Sequence, residues 1–96
     1  VVINIPAAVT ELSLDAGNPK NGKLPQGALE TRTDFGKAGY GGPCPPEGDH
    51  PHRYFFTVHA VGGDISANAD TSAAVIGFQL HFNTLAKSAV MGLFKR

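Results

Sequence analysis

Between Gly41 and Phe56 the chain reads GGPCPPEGDHPHRYFF. These sixteen residues gather a thiol, two carboxylates, two imidazoles, a guanidinium and a phenol. Three chemistries suit that inventory. The first is anion capture. An imidazole (His52), a phenol (Tyr54) and free backbone N–H groups from Gly41, Gly42 or Cys44 could converge on one negative charge. Pro43, Pro45 and Pro46 donate nothing, but they restrict φ and lower the cost of ordering their neighbours, while Gly lets backbone approach a ligand closely. The same residues also suit a sharp corner followed by a hydrogen-bonded core His and Tyr, the commoner fate of those residue types. The second chemistry is metal binding by Cys44, Asp49, His50 and His52. Cys-x5-His-x-His matches no common zinc spacing, and a single Cys is a poor structural-zinc donor set, so no metal is expected. The third is nucleophilic catalysis by a Cys44–His52 pair. Pro43 and Pro45 keep Cys44 out of a helix start, where its pKa would fall. No Ser occupies a G-x-S-x-G elbow, and no acid is evidently placed to orient His52. The expectation is therefore a protein that is not an enzyme and carries no cofactor.

These groups need elements to hold them. Residues 52–61 (HRYFFTVHAV) form the best strand in the chain, with β-branched and aromatic residues stopped by Gly62-Gly63-Asp64. Strand alternation puts His52, Tyr54, Phe56 and Val58 on one face and Arg53, Phe55, Thr57 and His59 on the other. Arg53 is expected either to pair with an acid such as Asp34 and brace the base of the loop, since a guanidinium suits carboxylates, or to stand as a solvated surface Arg. His59 and His81 follow apolar residues and suit core-edge positions better than ligation. Residues 36–51 are a Gly- and Pro-laden loop of a length that tends to carry function. Residues 1–5 read as a strand stopped by Pro6, residues 9–14 as a weaker alternating strand, and residues 28–33 as a short one. Residues 15–25 hold Asn-Pro and Asn-Gly turn signals and form an exposed loop. Residues 71–85 fit both periods. Length favours a helix capped by Asp70, Thr71 or Ser72, and a short strand over 89–94 follows.

Composition narrows the classes. Ninety-six residues make one domain, with 42% hydrophobic and 17% charged residues, which is globular in character. Eight basic residues balance eight acidic ones, so a nucleic-acid partner is not expected. The lone Cys44 excludes an internal disulfide. No apolar run is long enough for a membrane span. A core-type strand at the first residue, where termini usually fray, leads us to expect that the chain is part of a larger domain.

The stretch GYGGPCPPEGDHPHRYFFTVHA resembles the second signature of the phosphatidylethanolamine-binding protein (Raf kinase inhibitor protein-like) family, in its bacterial branch: a Pro-Pro-x-Gly turn followed by His-Arg-Tyr. LPQGALETRTDFGKAGYGG upstream and AAVIGFQLHFNTLAKSAVMGLF downstream look like the same branch. The resemblance implies a mostly β fold, a Greek-key antiparallel β-sandwich with one helix near the C-terminus, and it favours the helical option for residues 72–85. It also implies a pocket for phosphate-like anions or a phospholipid headgroup, lined by Gly42, Pro43 and Cys44 from the loop and His52 and Tyr54 from the strand, while Arg53 matches an Arg that looks structural in the family; Asp34 is its expected support on charge alone. Cys44 stands where some relatives have Gly. The family's first signature, an Asp-Pro-Asp-x-Pro segment and a Gly-rich turn ending in His-Trp, is not found. VVINIP looks like the strand that follows it, so residues 1–96 are expected to be the C-terminal portion of a single domain of this type. Half a site and open sheet edges then invite pairing, as a homodimer or with an N-terminal half. The competing function is a kinase or protease inhibitor acting through its surface with the pocket vestigial. A cytoplasmic location is expected, with the periplasm as the alternative.

Overall fold

The computed structural model describes residues 1–96. Its elements run β1 (Val2–Ile3), β2 (Leu29–Glu30), β3 (His52–Val61), α1 (Ala73–Asn83) and β4 (Thr84–Phe94). They form two antiparallel two-stranded sheets, β1 with β2 and β3 with β4.

β1 is shorter than the run 1–5 suggests. The strand breaks at Asn4, which takes a left-handed conformation at φ 56°, two residues before Pro6 could stop it. Asn tolerates that region better than most residues, and here it gains two bonds by entering it. Its Nδ2 donates to the Ile65 carbonyl at 2.9 Å and its Oδ1 accepts the Ile65 N–H at 2.7 Å. Gln79 does the same for the next residue, accepting from Ser66 N–H at 2.9 Å and donating to its carbonyl at 2.7 Å. Two side-chain amides thus stand in for neighbouring strands and staple residues 65–66 between β1 and α1.

The strand expected over residues 9–14 does not form. Of its alternating apolar positions Val9 is half-buried, but Leu12 is exposed and Leu14 is 91% exposed. Residues 15–25 are successive turns as expected, closed by Ala16 N–H to Ser13, Asn18 N–H to Asp15 and Asn21 N–H to Asn18. The strand expected over 28–33 survives as Leu29–Glu30, continued by Thr31 N–H donating to the Val1 carbonyl and an isolated bridge between Arg32 and Ala38.

β3 has the expected bounds. α1 begins at the Ser72 cap, whose Oγ accepts from Val75 N–H at 3.4 Å. It ends where Thr84 turns extended, at φ −73° and ψ 122°. β4 follows at once and is longer than the 89–94 expected, because antiparallel pairing with β3 fixes the backbone from Thr84 onward. His52 pairs with Phe94 and Ala60 with Ala86. The register then slips so that Val61 faces Thr84, leaving Leu85 as the extra residue of a bulge.

Six of the 96 residues are buried, so the packed core is small. Ile3, Ile65 and Ile76 meet at its centre, with Leu29, Val61, Ala67 and Leu80 against them. Every contributor comes from the corner where β1, β2, the end of β3, residues 65–67 and α1 converge. The rest of the β3–β4 ribbon projects from it.

Candidate functional site

The ribbon's free end carries the loop of residues 36–51, and the loop is fastened at three points. At its start, Tyr40 N–H donates to the Gly17 carbonyl at 2.8 Å. Gly39 just before it sits at φ 109°, with no room for a Cβ, which would lie 2.9 Å from the Pro19 ring. The Tyr40 ring then meets Phe56 edge-on, with centroids 6.4 Å apart, tying the loop to the face of β3 that His52 and Tyr54 share. In its middle, Arg96 Nε donates to the carbonyl of buried Pro45 at 2.6 Å, the Arg96 carbonyl accepts Gly48 N–H at 3.1 Å, and the guanidinium lies 3.9 Å from Glu47. Its end is closed on itself, with Asp49 N–H donating to the Pro46 carbonyl at 3.3 Å. Gly48 takes φ 80° at the third position of that turn, as a type II turn requires.

Between the fastened points, Gly41, Gly42 and Cys44 donate their backbone N–H groups to nothing within the protein, as anion capture would require. Gly42 is at φ 77°. Pro43 and Cys44 are exposed and the thiol is free. His52 and Tyr54 are half-buried on one face of β3, while Arg53 between them is exposed. Two cavities lie elsewhere. One of about 210 Å³ is under the turns of residues 16–24, and an open one of about 520 Å³ runs between the end of α1 and β4, beside His59, His81 and Lys87. His59 Nδ1 lies 3.0 Å from the Thr84 hydroxyl, a satisfied core-edge histidine as its sequence context suggested.

Two expectations are corrected. Asp34 and Arg53 do not pair. Asp34 sits exposed in the turn closed by Gly36 N–H and Thr33, and the Arg53 guanidinium lies 5.8 Å from the centroid of the Phe55 ring. The planar cation has an aromatic face beside it and no ion pair with a carboxylate. Secondly, an acid does orient His52. Asp49 Oδ2 stands 2.8 Å from His52 Nε2, so the ring donates Nε2–H to the carboxylate and leaves Nδ1 for another partner. The hydrogen bond from His52, and secondarily the His50 backbone N–H at 2.8 Å, hold the Asp49 carboxyl below its ordinary value. His50 leans over the same carboxylate, its ring tilted against His52 with centroids 5.2 Å apart. Of the four metal-ligand types noted in the sequence, Asp49, His50 and His52 place one ligand atom each within 4.8 Å of the others, and Cys44 is outside the group.

Sequence reasoning missed Asp49 as the partner of His52 and Arg96 as the clamp on the loop. The first had a signal in the Asp-x-x-His spacing across the end of a turn. The second had none, because Arg96 and Pro45 are 51 residues apart.

Comparison with known proteins follows the same residues. The family model described as phosphatidylethanolamine-binding protein matches residues 1–95. The UPF0098 proteins YbcL and YbhB of Escherichia coli K12 are 44% and 43% identical to this chain, each over 98% of its length. The chain spans 52% of YbcL and 59% of YbhB. The crystal structure of E. coli YbcL, described as a new member of the mammalian PEBP family, superposes on 99% of the chain with a TM-score of 0.93, and 58% of that structure is covered. The mostly β fold expected from the sequence, with its helix near the C-terminus, is thereby borne out.

Proposed function

The chain belongs to the phosphatidylethanolamine-binding protein family, and from that premise we propose that it is a binding module for small phosphate-like anions or a phospholipid headgroup, not an enzyme. The observation that carries this is the row of unpaired N–H donors at Gly41, Gly42 and Cys44 in a loop fastened at three points beside the His52–Tyr54 face. Stiffened donors need little further ordering when they meet an anion. The His52 ring adds a nitrogen donor, with Asp49 holding it in one orientation. The Tyr54 hydroxyl adds a neutral donor. Pro43 shapes the rim. Arg53 stays outside the site, on the opposite face of β3.

Titration calorimetry with inorganic phosphate and with phosphorylethanolamine tests the proposal, and vesicles containing phosphatidylethanolamine, set against phosphatidylcholine alone, separate a lipid headgroup from a free anion. His52→Ala and Tyr54→Phe should each weaken binding several-fold, and His81→Ala, on exposed helix surface, should leave it unchanged. Equal losses in all three variants would sink the site.

A second reading, inhibition of a kinase or protease through the surface, draws on the exposed apolar side chains of β3 and β4. It predicts target capture that survives the double variant His52→Ala, Tyr54→Ala, whereas the anion reading predicts no function left in that variant.

A further inference from the structure

We propose that Asp49, His50 and His52 form a binding site for a divalent transition ion of the zinc type, at the junction of the loop and β3. One ligand atom from each lies within 4.8 Å of the other two. Bonds of about 2.0–2.2 Å in tetrahedral geometry set ligand atoms roughly 3.4 Å apart. The distances present lie on either side of that value: His52 Nε2 to Asp49 Oδ2 is 2.8 Å, and His50 Nε2 to Asp49 Oδ1 is 3.9 Å. The separations among the three ligand atoms reach as far as 4.8 Å, so the exposed His50 ring must swing inward by about 1.4 Å to seat an ion.

The protonation pattern points the same way. His50 Nδ1 lies 3.0 Å from the Pro51 carbonyl. A carbonyl only accepts, so the hydrogen is on Nδ1 and Nε2 carries a bare lone pair in the neutral ring. That lone pair faces the Asp49 carboxylate, an acceptor against an acceptor, and a cation between them resolves the mismatch. A backbone carbonyl that fixes the far nitrogen is also the usual outer support of a metal-bound imidazole. His52 joins by moving its hydrogen from Nε2 to Nδ1, which has no protein partner to prevent it. The turn closed by Asp49 N–H and Pro46, with Arg96 clamped behind it, holds the carboxylate in place. A carboxylate with two imidazoles suits zinc and its neighbours in the first transition row far better than magnesium or calcium. Three protein ligands on an exposed rim leave a fourth position for water or an exogenous anion.

The proposal differs from the anion reading in its donors: His50 has no part in the anion site, His52 is shared, and Asp49 serves the anion site only by orienting the His52 ring. Titration of zinc chloride into the chain in phosphate-free buffer, followed by calorimetry, should give one ion per chain, with magnesium chloride giving none. Asp49→Asn and His50→Ala should each weaken zinc by about tenfold or more, while Tyr54→Phe and Cys44→Ser leave it unchanged. Far-UV circular dichroism shows that each variant keeps its fold. His50→Ala should also leave phosphate binding intact, so the two sites fail separately. No zinc bound, or equal zinc affinity in the double variant Asp49→Asn, His50→Ala, would overturn the site, as would loss of binding in Cys44→Ser.

Discussion

The corner around Ile76 and the β3–β4 ribbon are built on opposite principles. In the corner, Ile3, Ile65 and Ile76 interlock, and the backbone between elements is satisfied by the Asn4 and Gln79 amides. In the ribbon, Phe55 on one face and Phe56 and Val58 on the other are all exposed, as are Val90, Met91 and Leu93 opposite them. The ribbon is held by its ladder, and an isolated two-stranded ladder is marginal in water. The difference teaches where stability and function separate. The corner anchors the proximal end of the ribbon through Val61, and the candidate site sits at the distal end, braced by Arg96 rather than by a core. Its long apolar faces are the surfaces most prone to association.

The contrast is broken most forcefully by truncating one side chain in each region. Ile76 is 1% exposed and Val58 is 73% exposed. Ile76→Ala should cost about 2–5 kcal/mol, enough to unfold much of a domain with so small a core. Val58→Ala should stay within about 0.5 kcal/mol. Urea denaturation followed by circular dichroism reads both. A Val58→Ala cost that rises with protein concentration would mean that copies of the chain cover the ribbon in solution.

The next effect contrasts the two amide staples. Asn4→Ala leaves both backbone groups of buried Ile65 without partners, a loss of about 2 kcal/mol when water cannot reach them. Gln79→Ala frees the same two groups on exposed Ser66, where water replaces the side chain, and should cost about 0.5–1 kcal/mol. The same denaturation assay ranks them, and equal costs would show that Ile65 is wetter than its 4% exposure indicates.

How much of this was legible in the sequence follows the same division. β3 could be read to its end residues because its signal is local: ten residues of strand formers with a Gly-Gly stop. The helix could be read once length was weighed against alternation, and Ser72 was among its expected caps. The loop was legible from its Gly and Pro content, together with its unpaired N–H donors. What could not be read depends on distant partners. Asn4 ends β1 early because Ile65, 61 residues away, completes its bonds. Residues 9–14 alternate like a strand, but nothing is available to pair with them. β4 reaches back to Thr84 because β3 supplies the register. At the site, Asp34 was matched to Arg53 by charge, whereas position favoured Phe55 for the guanidinium and gave Asp49 to His52.

The smallest expected effect sharpens the comparison through charge. The two carboxyls moved from their ordinary values sit one in each region and move in opposite directions. At the ribbon's distal end, Asp49 is lowered by hydrogen bonds to its ionised form. In the corner, Glu30 of β2 is raised, because partial burial disfavours its charge. A carboxyl raised in the folded state binds its proton more tightly there than in the unfolded chain. Above the folded value Glu30 therefore costs stability, and the cost is relieved as the pH falls, fully so below the ordinary value of 4.5. Glu30→Gln removes the ionisation while keeping the shape. The variant should be slightly more stable than the parent at pH 7, and the two should converge as the pH drops below 4.5. Thermal melts of both proteins across that interval measure the difference. A gap that stays constant with pH would mean that Glu30 titrates alike in the folded and unfolded chain, and a less stable variant at neutral pH that a partner stabilises its carboxylate as Asp49's is stabilised; either result would make the corner no drier than the ribbon.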